Sequence, residues 1–220
     1  MVLPQRSLSS DLLPSAISLV AEAFYDNPAY AYICPDLDDR TKRLEWLLGR
    51  NLRAQLPGRR SFCLATDAVV DAMGFWTRGN DSEDSGVGVL TLLRVGFLLA
   101  PFRLGVGGVR RMALVAGVID GAAERAACGQ PFWYLHNLVI RDELRGQGVG
   151  GKLLREELEW IGNRHPGVRI LLATQLTENV RFYERLGFSV VAEDSVGTGE
   201  QAFKTWTMQA QAQAAEESAR

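Results

Sequence analysis

Apolar residues recur at spacings of three and four along residues 11–25, where Leu13, Ile17, Val20 and Phe24 share one side of a helix. Asp11 is placed to cap its start, and Pro14 falls in the first turn, which tolerates a missing N–H. "DNPAYAYICPD" breaks the rhythm with two prolines, and Leu44, Leu48 and Leu52 restore it as a second helix ending before Pro57. "SFCLAT" and "AVVDAMGFWT" predict two short strands joined by a turn around Asp67, and "RGNDSEDSG" reads as a polar, flexible loop. Residues 89–125 predict mostly helix, divided at Pro101. The aromatic and β-branched run "FWYLHNLVI" is a strong strand, followed by a helix from about Gln147 to Asn163 that "HPG" stops. "VRILLAT" is a further buried strand, "ENVRFYERLGF" a short helix closed by Gly187, and "FSVVAED" and "AFKTWTMQ" the last strands. The pattern predicts an α/β fold with a mixed sheet in one domain, residues 1–210, and a disordered tail over 211–220.

Composition narrows the classes of partner. The 220 residues suffice for one substantial core, and a net charge of -2 gives no electrostatic reason to expect nucleic acid or an anionic membrane. Cys34, Cys63 and Cys128 are far apart and odd in number, and His136 and His165 are the only histidines. Neither a disulfide framework nor a metal site is expected, and free, buried cysteines suit a reducing compartment. The N-terminal stretch lacks the unbroken apolar region of a signal peptide, and arginines interrupt the most apolar segment, 87–119. The expectation is a cytoplasmic protein, monomeric or homodimeric, with no nucleic-acid or membrane partner.

"ELRGQGVGGKLL", residues 143–154, carries the candidate chemistry. Glycine this dense, opening onto leucines at helical spacing, lets backbone approach a phosphate. Gly146, Gly151 and Lys152 satisfy G-x-x-x-x-G-K, but Leu153 stands where a P-loop needs a hydroxyl for magnesium. Gly146, Gly148 and Gly151 spell G-x-G-x-x-G, yet five residues separate them from the strand, and the next strand ends in Ala173 and Thr174 without an acidic ribose ligand. Neither nucleotide reading accounts for the segment.

Arg145-x-x-Gly148-x-Gly150, directly between a strand and a helix, resembles the acyl-CoA-binding motif of the GNAT superfamily of N-acetyltransferases. "LHNLVIRDELRGQGVGGKLL" matches the family's strand–loop–helix throughout, and "ATQLTENVRFYERLGF" resembles its second signature, with Asn179, Tyr183 and the Gly187-Phe188 helix stop. "AFYDNPAYAYICPD", the helical segment before the strand and "WYL" at 133–135 are similar to the puromycin N-acetyltransferase-like branch, although His136 and Gln175 depart from it. The resemblance implies a mostly antiparallel, twisted sheet with flanking helices and central strands splayed at a bulge. It implies a CoA-binding core over about 61–208 and acceptor-side helices over about 11–56 and 89–125.

The implied activity is transfer of an acetyl group from acetyl-CoA, a co-substrate, to the primary amine of a small molecule by direct attack, without a metal. A CoA-binding sensor without turnover, or an enzyme acting on a protein or peptide amine, is the alternative. Leu138, Val139, Ile140, Arg145, Gly146, Gln147, Gly148, Val149, Gly150, Gly151, Lys152 and Asn179 would bind the cofactor. Glycine at 146, 148 and 150 would keep side chains away from the pyrophosphate. Tyr183 would protonate the departing thiolate, and an amide near Leu138 would polarise the carbonyl. His136 is the candidate base on account of its ordinary pKa, with Glu22, Asp26 and Tyr134 as rivals. Phe24, Tyr25, Tyr30, Trp133 and Tyr134 are aromatic candidates for the acceptor pocket.

Overall fold

Alternation along the strands sets up a sheet with two apolar faces, and helices cover both. The computed structural model describes residues 5–57, 59–80 and 89–212. Three helices come first, α1 (Leu13–Ala23), α2 (Pro28–Ile33) and α3 (Leu37–Gln55), then the hairpin β1 (Ser61–Thr66) and β2 (Val69–Gly79). Helices α4 (Val89–Arg94) and α5 (Ala100–Ala127) lead to β3 (Phe132–Ile140), α6 (Val149–Arg164) and β4 (Arg169–Thr174). Helix α7 (Thr177–Glu184), β5 (Ser189–Val196) and β6 (Phe203–Gln211) complete the chain. The sheet order is β1-β2-β3-β4-β6-β5, antiparallel throughout except where β3 meets β4. This is the mixed sheet that the pattern predicts, with the mostly antiparallel order and flanking helices that the resemblance implies.

One face buries Leu12, Leu44, Leu48, Leu52, Met73 and Phe75 beneath α1, α3 and the middle of α5. The other buries Trp76, Trp133, Leu154, Ile161, Ile170 and Met208 beneath α6 and α7. Glu157 of α6 is fully buried in that second layer. It takes two 2.7 Å bonds from the Arg60 guanidinium and a 2.9 Å bond from the Trp76 indole, and Gln5 also donates to it. Arg60 in turn stacks 3.5 Å over Trp160. The cluster ties α6 to the start of β1 and to β2.

Several local expectations need correction. Asp11 lies in a 3-10 turn, Ser10–Leu12, and Leu12 rather than Asp11 is the α1 N-cap. "DNPAYAYICPD" contains α2, capped by the Asn27 side chain accepting from the Ala29 amide, with Pro28 in the tolerant first turn. The helical region divides at Gly96 (φ +80) and kinks at Gly105 (φ +70, ψ 161), not at Pro101, which sits in the first turn of α5. Gly187 behaves as expected, at φ +86. The amides of Phe188 and Gly187 return to the carbonyls of Tyr183 and Glu184, and the Phe188 ring packs on Tyr183. Cys34 and Cys63 are buried, but Cys128 is exposed. Gln211 and Ala212, read as the start of the tail, belong to the sheet region, with Ala212 bonded to Val168. Residues 81–86 of the predicted loop and 213–220 of the predicted tail lie outside the described residues.

Removing Glu157 leaves a buried indole N–H and a guanidinium without their acceptor. Glu157→Ala is expected to lower the unfolding free energy by about 3 kcal/mol, read by urea denaturation. A change within about 0.5 kcal/mol would show that the cluster does not anchor α6.

Candidate active site

Strands β3 and β4 pair over three positions only, Phe132 with Arg169, Trp133 with Ile170 and Tyr134 with Leu171. Beyond Tyr134 they part, and β3 continues to Ile140 paired on its β2 side alone. In the β2–β3 ladder Phe75 faces His136 and Met73 faces Val139, so β3 carries one extra residue there. Asn137 absorbs it at φ +51, a left-handed conformation that asparagine tolerates. The bulge exchanges the faces of β3. Trp133 and Leu135 point into the α6 layer and Tyr134 and His136 into the α1–α5 layer, whereas after it Leu138 and Ile140 join the α6 layer and Val139 the other.

The glycine loop begins where β3 ends. Arg141 is pinned there, its amide to Asp71 O (2.8 Å) and its guanidinium to Asp71 Oδ1 (3.0 Å) and Val70 O (2.7 Å). Gly148 caps α6 at φ +78, ψ 0, and Gly146 has φ +74. The bond from Lys152 N to Gly148 O (3.0 Å) begins the helix, so the amides of Val149, Gly150 and Gly151 precede any intrahelical partner. A Cβ on Gly146 or Gly148 would meet nothing within 4 Å, so both face open space and owe their identity to their positive φ. Gly150 differs: a Cβ there would sit 3.3 Å from Ile140 and 3.6 Å from Phe182, so its role is to let α6 approach β3 and α7. Gly151 is buried, Gln147 donates to Glu143 O, and Arg145 and Lys152 hold exposed cations beside Asp142 and Glu156.

Tyr183 comes to the gap from α7. Its ring is buried between Phe182 (5.0 Å) and Phe188 (5.7 Å), and its hydroxyl has no hydrogen-bond partner among the described residues. Burial pushes its pKa well up, so the phenol stays protonated. Asn179 lies one turn earlier on α7, half-buried. Tyr134 is also pushed up, first by burial, then by the charges of Asp120, Tyr183 and Tyr30, with the Ala173 backbone partly opposing. Tyr134, Asp120, Tyr183 and Tyr30 therefore share one neighbourhood at the point where β3 and β4 separate.

His136 stacks on Phe75 (4.9 Å, 8° between planes) and against Tyr134 (4.6 Å), and its Nε2 lies 2.9 Å from Thr77 Oγ1. Burial, aided by the Arg59 charge, pulls its pKa down to about 3, so it is a neutral imidazole near pH 7. Of the aromatic candidates, Tyr30 reaches the same neighbourhood with Phe24 stacked on it (5.0 Å), and burial raises Tyr30 to about 12. Tyr25 instead bonds Leu37 O (3.3 Å) and packs under Arg40 (5.1 Å). Trp133 lies on the opposite face of β3, between Trp76 and Trp160. Glu22 and Asp26 are exposed, the latter 4.0 Å from Arg40.

Asp120 of α5 was not among the sequence candidates. Ala123 and Ala127, one and two turns further along α5, pack with Tyr134, and this aims Asp120 toward the cleft. The side chain is exposed to solvent, yet partial desolvation by its neighbours first, and Glu124 second, push its carboxyl up. The only signal in the sequence is its position, as the sole acidic residue between Val89 and Ala123. Gln175 donates to Thr205 Oγ1 (3.0 Å) and accepts from Asn27 (3.2 Å), tying the end of β4 to α2 and β6.

Residues 110–190 match the family model described as "Acetyltransferase (GNAT) domain". Among solved structures, the chain superposes on a histone acetyltransferase HPA2 and related acetyltransferase from Corynebacterium glutamicum with a TM-score of 0.66, at 18% identity and 100% coverage of both chains. Arylalkylamine N-acetyltransferase 2 from Aedes aegypti gives 0.64 at 12% identity, covering 96% and 99%. A phosphinothricin acetyltransferase from Sinorhizobium meliloti, solved with AcCoA, gives 0.54 at 14% identity, covering 97% and 90%. A probable serine/threonine-protein kinase of Dictyostelium discoideum is 24% identical over 201 residues, 84% of this chain. The chain spans only about a fifth of that protein, 21% of its length. Residues 110–190 thus match a GNAT acetyltransferase domain, and the sheet, the splay and the glycine loop give the chain the fold of the acetyltransferases it superposes on.

Proposed function

We propose that the chain transfers an acetyl group from acetyl-CoA to the primary amine of a small molecule by direct attack. One observation carries the reading: the first amides of α6 have no helical partner, Gly146 and Gly148 before them border open space, and a protonated Tyr183 lies on the adjoining α7. Free N–H groups and the helix dipole suit a pyrophosphate, with Arg145 and Lys152 adding charge at its rim. The edge of β3 from Leu135 to Ile140, freed from β4, offers Leu138, Val139 and Ile140 to an extended amide-bearing arm. The arylalkylamine enzyme among the structural neighbours supports a small amine as acceptor.

The proton inventory follows from burial. The amine lone pair forms the new C–N bond, the C–S bond breaks, and the thiolate takes the Tyr183 proton. The proton lost by the amine goes to a base on the acceptor side. His136 is poorly suited, because a pKa near 3 gives little affinity for a proton and Thr77 engages its Nε2. Asp120, exposed to solvent with its carboxyl raised by partial desolvation and Glu124, is the better acceptor, while His136 holds Tyr134 in place by stacking.

Thiol release with acetyl-CoA and a panel of primary amines tests the reading, and absence of turnover with every amine would contradict it. Tyr183→Phe is expected to reduce kcat roughly 100-fold with acetyl-CoA affinity nearly unchanged; unaltered kcat removes Tyr183 from the mechanism. Gly148→Val should weaken acetyl-CoA binding more than about tenfold, since its side chain enters the phosphate space from a strained backbone. His136 also sets a pH dependence. Between about pH 6.5 and 3 the unfolded imidazole binds a proton that the folded one does not. Its contribution is complete above that window and declines as pH falls through it, by up to about 1.4 kcal/mol per pH unit. His136→Gln should flatten this slope in urea titrations at successive pH values, and an unchanged slope would show that the imidazole is not held neutral.

A further inference from the structure

Helix α4 and the start of α5 bury one apolar face and expose another. Ala100, Leu104 and Gly108 turn inward, with Gly108 pressed toward the Ile33 carbonyl of α2. On the outside, Phe102 is 87% exposed, Val106 79%, and Leu90 and Leu98 70% each, with Leu93 and Leu99 also exposed. Helices apolar all round are normally buried, and soluble surfaces rarely leave so many large apolar side chains bare together. No described helix is long and apolar enough to cross a membrane.

The charges in this segment are of one sign. Between Val89 and Ile119 the ionisable residues are Arg94, Arg103, Arg110 and Arg111, with no acidic residue until Asp120. Arg94, Arg103 and Arg110 are exposed among the apolar side chains, whereas Arg111 turns inward to the Ile33 carbonyl. The chain's net charge of -2 therefore conceals a cationic, apolar face. A second copy is a poor partner for it. A two-fold contact would set these arginines against their own copies, with no carboxylate in the segment to pair them. An anionic bilayer surface matches both features, taking the apolar side chains to the acyl boundary while the arginines reach the headgroups.

We propose that the Leu90–Arg110 face docks this protein on an anionic phospholipid surface. The inference is independent of the acetyl-transfer reading, and its test needs no turnover. Flotation of the full chain with vesicles of phosphatidylcholine alone, and with added phosphatidylglycerol, measures it directly. Wild-type protein is expected to float with the anionic vesicles only, and to be released by salt. Phe102→Ser combined with Val106→Ser should abolish flotation. Arg103→Gln and Arg110→Gln should each weaken it roughly fivefold. Circular dichroism of these surface variants, unchanged from wild type, confirms the fold. Failure of the wild type to float, equal flotation with neutral vesicles, or flotation undiminished in the Phe102/Val106 variant would each overturn the proposal. A dimer in light scattering that this variant dissociates, without vesicle binding, would instead make the face a self-association surface.

Discussion

The parting of β3 from β4 after Tyr134 is the constraint on which the candidate site depends. Two parallel strands that stayed paired would satisfy each other's backbone groups and leave no room between them. The extra residue at Asn137 bends β3 away and exchanges its faces, so Tyr134 and His136 serve one layer while Leu138 and Ile140 serve the other. One bulge thus makes the gap, frees an edge of backbone and decides which side chains face the α1–α5 layer. The Asn137 amide nitrogen is buried there without a partner, a further sign that ordinary ladder packing has been given up at this point.

The glycine loop matters only if α6 is aimed correctly at that gap. Glu157 supplies the aim from the far side, because its carboxylate binds groups from the N-terminal segment, the start of β1 and β2 at once. Gly150 supplies it from the near side by allowing contact with Ile140 and Phe182. The start of α6 is thereby held against β3 and α7, the arrangement on which the proposed phosphate and thiolate roles rest.

Strong local signals made much of this legible in the sequence. The run of strand formers at 132–140, the glycines after it and the Gly187 stop each demand one conformation, and each was found where expected. Less was legible where tertiary packing decides. Asp11 looks like a cap, yet a 3-10 turn precedes the helix and moves the cap to Leu12. Pro101 looks like a break, but proline suits a first turn, and the kink falls at Gly105 instead. Trp133 and Tyr134 are adjacent aromatic residues with equal claims on a pocket, and only the direction of strand alternation separates them. Asp120 gave almost no local signal, because its place in the cleft depends on α5 crossing the sheet at Ala123 and Ala127. The arginine-studded apolar segment was legible in the sequence, but which of its side chains stay exposed was not.

Calorimetric titration of the purified chain with acetyl-CoA, run beside ATP and NADH, tests the assignment of the loop most directly. Saturable binding of acetyl-CoA, with no heat from ATP or NADH, is the predicted result. No binding of acetyl-CoA, or binding of ATP or NADH in its place, would contradict the assignment of the α6 amides to a CoA pyrophosphate.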